Sequence, residues 1–228
     1  MVMEREAGRG ANQLRPMDCS RNVLDRAHGS ASCSHGETKV LAAVFGPKPG
    51  TKKNENPEKA CIEVIWKPKT GQIGKQEKEF EMILKRTLQN ICILSVNLNT
   101  TTSITIQVIH DDGSLLPCAI HAACAALLDA GIPLKHLAVA ICCCVEESGQ
   151  IILDPNKLEE QKTKASVCLA FPCCVDSLLG EELSTNGGGG GGGVITSFTH
   201  GVMAVEEYFR CLDRARAAIL PLSKILRK

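Results

Sequence analysis

The chain has 228 residues, enough for one large α/β domain with a sizeable core, and its residues are 44% hydrophobic but only 3% aromatic. Such a core is built from Val, Ile, Leu, Ala and Cys, which suits sheets covered by helices. A formal net charge of +1 argues against a free-standing nucleic-acid clamp, because unaided polyanion binding leans on excess Lys and Arg. The sequence carries no run of about 18 apolar residues and no apolar signal core near Met1, so nothing in it predicts a membrane span or export.

Without an export signal, the 13 cysteines read as small buried hydrophobes, and disulfides are not expected. No CxxC pair occurs, and Cys142, Cys143 and Cys144 lie in the strand-like AVAICCCV, where neighbours point to opposite faces and cannot converge on one metal. Basic charge gathers in two places. Lys and Arg outnumber Glu between Lys48 and Arg86, and Arg210, Arg214, Arg216, Lys224, Arg227 and Lys228 crowd the C-terminus.

In chain order, Met1 to Ala11 is charged and aperiodic and reads as a flexible tail ahead of a single domain, 12–228. Gly29 and Gly36 bound a short strand and Lys39 to Phe45 form a second, a hairpin or meander closed by Pro47 and Pro49. Thr51 to Lys59 is polar and proline-bearing, a loop. Cys61 to Trp66 alternates, with Ile62, Val64 and Trp66 on one face. Lys75 to Cys92 predicts an amphipathic helix: Phe80, Ile83, Leu84, Thr87, Leu88 and Ile91 share one stripe. Thr102 to Ile109 alternates again.

The next stretch, His110 to Pro133, is a helix with both ends marked. Asp111, Asp112, Gly113 and Ser114 make a turn and a candidate N-cap, Pro117 is tolerable in the first turn, and Gly131 and Pro133 supply the stop. Small and apolar residues cover nearly all of its surface, which predicts burial all round. The turn hands a strand to a helix N-terminus, a common place for a phosphate to dock. Beyond it come strands at Leu137 to Val145, Gln150 to Leu153 and Ser166 to Phe171, in a mixed sheet. The glycine run Gly187 to Gly193 reads as a flexible surface insertion. Val194 to Thr199 is a last strand, and Met203 to Leu220 a last helix with Val205, Phe209, Leu212 and Ile219 inward, kinked or ended near Pro221.

Several ordered motifs carry a resemblance: LRPMDCSRNVLDRAHGSASCSHGETKVLAAVFGP, the helix EMILKRTL, the DDGS turn followed by CAIHAACAALLDAGIP, and LDPNKLEE. Together they resemble an RNase PH-type subunit, nearest to those of the eukaryotic RNA exosome ring. The resemblance covers most of Asn12 to Phe171. It implies an α/β fold of two β-α halves with mixed sheets packed on helices, and phosphate-dependent trimming of RNA from its 3′ end in active members.

Active members carry a Gly-Thr-Arg phosphate site directly after the acidic-glycine turn. Here that place reads Gly113, Ser114, Leu115 and Leu116. Leu116 stands at the arginine position, and the hydroxyl survives only as the shifted Ser114. Arginines on the helix matching Lys75 to Cys92 align with Lys78 and Leu84. If each lost guanidinium contact contributed roughly 1.5–3 kcal/mol, two losses weaken binding by about 10²- to 10⁴-fold, whereas a helix N-terminus contributes only about 0.3–1 kcal/mol. Feeble or absent phosphorolysis is the expectation, with inorganic phosphate not expected as a ligand.

Active relatives also carry two acidic residues for a metal ion or proton transfer, and Asp154 and Glu160 keep their spacing. An extended strand would part the two carboxylates by about 20 Å and a helix would turn them about 240° apart. Only a bend at Asp154, Pro155 and Asn156 lets them meet. Together with water they are a candidate catalytic and Mg²⁺ or Mn²⁺ site. The plain alternative is a turn aspartate followed by a solvated stretch. The scattered histidines form no nucleophile motif, and His121 reads as a packed helix residue.

The resemblance thus implies a non-phosphorolytic subunit of the exosome core, helping ring assembly and the RNA path in 3′→5′ processing and decay, including that of ribosomal RNA. Its partners would be other RNase PH-like ring subunits, RNA-binding cap subunits and RNA, and its locations the nucleus with the nucleolus, and the cytoplasm. A 3′→5′ exoribonuclease or metal-dependent nuclease in its own right, and a homo-oligomeric nucleic-acid-binding protein, are the alternatives. Lys67, Lys69, Lys78, Lys85 and Arg86 are the candidate RNA contacts.

Overall fold

Residues 5, 8–49, 57–173 and 193–226 are described by a computed structural model. Met17–Arg21 (β1), Gly29–His35 (β2) and Thr38–Pro49 (β3) form an antiparallel meander. Cys61–Lys67 (β4), the helix Lys75–Ile91 (α1) and Thr100–His110 (β5) then make a crossover unit, because β4 and β5 pair in parallel and parallel neighbours need a helix-length connection. β5 returns antiparallel to β3, which gives a five-stranded sheet in the order β1-β2-β3-β5-β4.

Leu115–Asp129 (α2) leads into the second half: Leu137–Val145 (β6), Ile151–Leu153 (β7), the short helix Lys157–Lys162 (α3), Ala165–Cys173 (β8), Thr196–Gly201 (β9) and Val205–Leu226 (α4). Its sheet runs β7-β6-β8-β9. The first sheet mixes strand directions, while the second, formed by the strands after Pro133 and expected to be mixed, is antiparallel throughout.

Period-2 alternation decides how these parts stack. Ala138, Ala140, Cys168 and Ala170 face α2 and share one core with Val40, Ala42, Ile104, Ile106 and the α1 stripe Leu84, Leu88 and Ile91. Val139, Ile141, Cys143, Val167 and Leu169 face the other way and bury Cys211, Ala215, Ala218 and Leu222 of α4. The layers therefore run sheet, α1 with α2, sheet, α4. Because α2 lies between two sheets it is buried from Leu116 to Leu127, as its small-residue surface predicts. Each fully buried large side chain, such as Ile120 or Leu127, contributes roughly 1.5–3 kcal/mol relative to exposure.

Four expectations are corrected. Cys19 and Cys33 form a disulfide; they face each other in the β1–β2 register, which no count of cysteines reveals. Arg5, assigned to the flexible tail, is buried and hydrogen-bonded. The last helix runs through Pro221 to Leu226. Its Val205 and Phe209 are 71% and 56% exposed, because the sheet contacts a stripe centred on Cys211, Ala215 and Ala218 instead. Most of the predicted loop at Thr51 to Lys59, the glycine run apart from Gly193, and the basic pair Arg227 and Lys228 lie outside the described residues.

Candidate functional site

The turn at Asp111 to Ser114 lies where β5 hands over to α2. Gly113 takes a positive φ of 83°, and a Cβ there would meet the Asn156 carbonyl carbon at 2.5 Å and the Lys157 nitrogen at 2.7 Å. Only glycine lets this turn press against the start of α3. Ser114 stands at the N-cap with φ 50° and ψ 38°, and its side chain caps nothing. Its hydroxyl donates instead to the Pro155 carbonyl at 3.1 Å. Its amide donates to Glu160 Oε1 at 2.7 Å. The amide where a phosphate would dock is thus held by a carboxylate of the chain itself. Leu116, at the family's arginine position, is buried in the wall beside it.

Asp154 and Glu160 are placed by different partners. Asp154, in a left-handed turn with φ 50°, receives the Arg15 backbone N–H at 2.8 Å and the Arg15 guanidinium at 3.1 Å on Oδ2 and 2.8 Å on Oδ1. Burial alone would raise its pKa, but the hydrogen bonds and charge of Arg15 outweigh it and hold the carboxyl below the usual range. Glu160 faces the cavity, where burial raises its pKa against the lowering effect of the Ser114 amide and Lys157. Asp111, Glu77 and Glu79 share the cavity wall with it, and Lys157 Nζ meets Asp111 at 2.7 Å. The bend brings Asp154 close to the site without turning it into the cavity.

This cavity, of about 550 Å³, opens between the first turns of α1 and α2, α3 and the inner face of β6, β8 and β9. Phe80 and Phe198, edge to face with ring centroids 6.3 Å apart, join Leu115 and Leu116 as apolar wall. Lys75, Gln76, Lys157, Ser166 and His200 supply polar groups. Among the described residues no three of His, Cys, Asp and Glu are disposed to hold a metal ion; Glu160 and Asp111 line the cavity with Ser114, and Glu77 and Glu79 line it from α1.

The five candidate RNA contacts do not line the cavity. Lys67 is exposed on β4 and Lys69 in the loop that follows, while Lys78 and Arg86 are exposed and Lys85 half-buried along α1. Lys78 lies one turn beyond Lys75, so α1 presents both from the cavity outward. Lys75 and Gln76 line the cavity from the first turn of α1, and nothing in the sequence marks them beyond the helix start behind Gly74. Lys157 and Arg15 lie inside the LDPNKLEE and LRPMDC motifs, but no period or cap marks either as a site residue.

His121 is a packed residue, as expected, but a partnered one. Its Nε2 accepts the Ala140 amide at 2.8 Å, so in the neutral ring Nδ1 carries the proton and donates to His35 Nε2 at 2.9 Å. Burial lowers the pKa of both, that of His35 to about 4.

A two-sheet α/β chain with this turn, this cavity and this acidic spacing belongs to the class of RNase PH-type folds, and the comparisons agree. Residues 13–133 match the family model described as "3' exoribonuclease family, domain 1", and the chain belongs to that RNase PH family. It is 66% identical over 229 residues to an exosome complex exonuclease RRP46 homolog of Arabidopsis thaliana, covering 100% of this chain and 96% of that one. To the exosome component Rrp41 of Pyrococcus horikoshii it is 33% identical over 173 residues, 72% of this chain and 69% of that one. The crystal structure of rice (Oryza sativa) Rrp46 superposes with a TM-score of 0.86 at 60% identity, covering 98% of this chain and 99% of that one. An archaeal exosome core subunit shares the fold with a TM-score of 0.77 at 20% identity, over 99% of this chain and 92% of that one.

Proposed function

We propose that this chain is an RNase PH-like subunit of an RNA exosome core ring, working in 3′→5′ processing and decay of RNA, including ribosomal RNA, in the nucleus with its nucleolus and in the cytoplasm. The observation that carries this reading is full-length similarity to relatives named as exosome components, over a fold that keeps both sheets and the α2 turn. Its partners are other RNase PH-like ring subunits, RNA-binding cap subunits and RNA. A net charge of +1 suits a chain that shares an RNA channel with neighbours rather than building one alone.

Phosphorolysis by the isolated chain is feeble on this reading. An arginine is absent at Leu116, and Glu160 holds the Ser114 amide, so the α2 turn offers an incoming phosphate no guanidinium at that position and meets it with a carboxylate already on the Ser114 N–H. Incubating the pure chain with RNA and inorganic phosphate tests this: slow release of nucleoside diphosphates is expected, and rapid phosphate-dependent release overturns it.

A second reading, a nuclease in its own right, is favoured by one observation: Glu160, Lys75 and Lys157 all face the same cavity. A carboxylic acid with a raised pKa that shares its cavity with two amines is equipped for proton transfer at a phosphodiester, and Mg²⁺ or Mn²⁺ would bind through Glu160 and Asp111 with water. Nuclease assays of the pure chain with Mg²⁺, compared with Glu160→Gln, separate the two readings.

A further inference from the structure

The segment before β1 does more than lead into it. Arg5 reaches 154 positions along the chain, where its Nε donates to Glu159 Oε1 at 2.9 Å and its Nη2 to Glu159 Oε2 at 3.0 Å. The same Nη2 donates to the carbonyls of Leu153 at 3.0 Å and Asp154 at 3.1 Å. Both charged side chains of this pair are only 4% exposed. Arg9 adds a longer contact to Glu159 at 3.5 Å. The Nη1 of Arg5 donates to the Gly10 carbonyl at 2.9 Å and the Ala11 carbonyl at 3.5 Å, and a planar guanidinium with its donors spread over a carboxylate and four carbonyls fixes direction as well as distance.

What it fixes is α3. A helix of 6 residues has no stability of its own, so its orientation comes from what anchors it. On one side Gly113 packs against its first peptide. On the other stands Arg5. Glu159 and Glu160 are adjacent, so they leave α3 in different directions: Glu159 toward Arg5 and the Asn156 amide at 2.9 Å, Glu160 toward the Ser114 amide and the cavity.

We propose that Arg5 is a positioning residue for the cavity: its fork on Glu159 and on the Leu153 and Asp154 carbonyls sets the orientation of α3 and thereby holds Glu160 at the Ser114 amide. Arg5 is then an anchor that controls a group in the cavity although it lines no part of it. Without Arg5, α3 is still tethered at its start by Gly113, the Lys157–Asp111 pair and the Ser114 hydroxyl on the Pro155 carbonyl, but Glu159 is left with the longer Arg9 contact and the helix is free to turn Glu160 away from the Ser114 amide. This rests on the cavity described above and is independent of membership in a ring, so the failure of one does not entail the failure of the other.

The test reads Ser114 directly. In ¹⁵N-labelled protein the Ser114 amide, which donates to Glu160 at 2.7 Å, is expected to be protected from exchange with solvent deuterium. Arg5→Met is expected to lose that protection while core amides of α2 such as Ile120 keep theirs, and Arg5→Lys to retain part of it. Arg5→Met leaves Glu159 buried without its nearest cation, so the variant Arg5→Met with Glu159→Gln relieves that charge while the amide oxygen still accepts from the Asn156 amide. The double variant should melt closer to wild type yet still lack protection at Ser114. If the Ser114 amide is protected in both variants as in wild type, Arg5 serves stability alone and the proposal fails.

Discussion

Glu160 Oε1 accepts the Ser114 amide at 2.7 Å, so the N-terminus of α2 ends on a carboxylate of the chain itself. That contact ties the second half of the fold to the turn of the first. It also separates two acids that share a spacing: Glu160 belongs to the cavity, Asp154 to the Arg15 clamp.

Asp154 and Glu160 should therefore respond differently to loss of charge. Glu160→Gln keeps an oxygen for the Ser114 amide and removes a buried charge. Because the folded pKa of Glu160 is raised, its carboxylate costs stability once pH exceeds the unfolded value, so the variant should be as stable as wild type or slightly more stable at neutral pH. Metal-dependent nuclease activity, on the second reading, is lost in this variant while its melting temperature holds. Thermal melts and assays on one preparation check both.

Arg15→Met should be strongly destabilising, by about 3–5 kcal/mol, since it leaves the buried Asp154 carboxylate without its cation. The folded pKa of Asp154 is depressed, so its contribution is present above the unfolded carboxylate value and lost as pH falls through the folded one. Asp154→Asn should accordingly flatten the acid limb of stability against pH. Urea unfolding at several pH values measures it.

How much of this was legible in the residues differs by kind of contact. The α1 stripe and the burial of α2 follow from spacing along one helix, and both were readable. The Arg15–Asp154 and Arg5–Glu159 pairs join residues far apart in sequence, where no period or cap announces them. Val205 and Phe209 fit a helical stripe in the sequence, but α4 turns a different stripe to the sheet. The Cys19–Cys33 pair depends on a register that sequence alone does not set.

The buried pair His35 and His121 should make the fold acid-sensitive. Both are held neutral, with His35 lowered to about 4 from 6.5, so the unfolded chain binds protons first. Stability then falls as pH drops from the unfolded value toward the folded one, by roughly 3 kcal/mol for His35. Replacing it by Gln should remove that part of the slope between these limits, as denaturant midpoints across the range would show.

Lys75 and Lys78 are exposed on consecutive turns of α1, leading outward from the cavity. The double change Lys75→Ala and Lys78→Ala should weaken RNA binding of any sequence and reduce the slope of log affinity against log salt by about 2. An unchanged slope in filter-binding or anisotropy titrations would place the RNA elsewhere.

Membership in an exosome core ring is tested most directly by purifying the tagged full chain from its native cells at physiological salt and identifying what remains bound. Stoichiometric recovery of other RNase PH-like subunits together with RNA-binding cap proteins is the predicted result. Recovery of the chain only with copies of itself, at the same salt and in nuclear and cytoplasmic extracts alike, would contradict it.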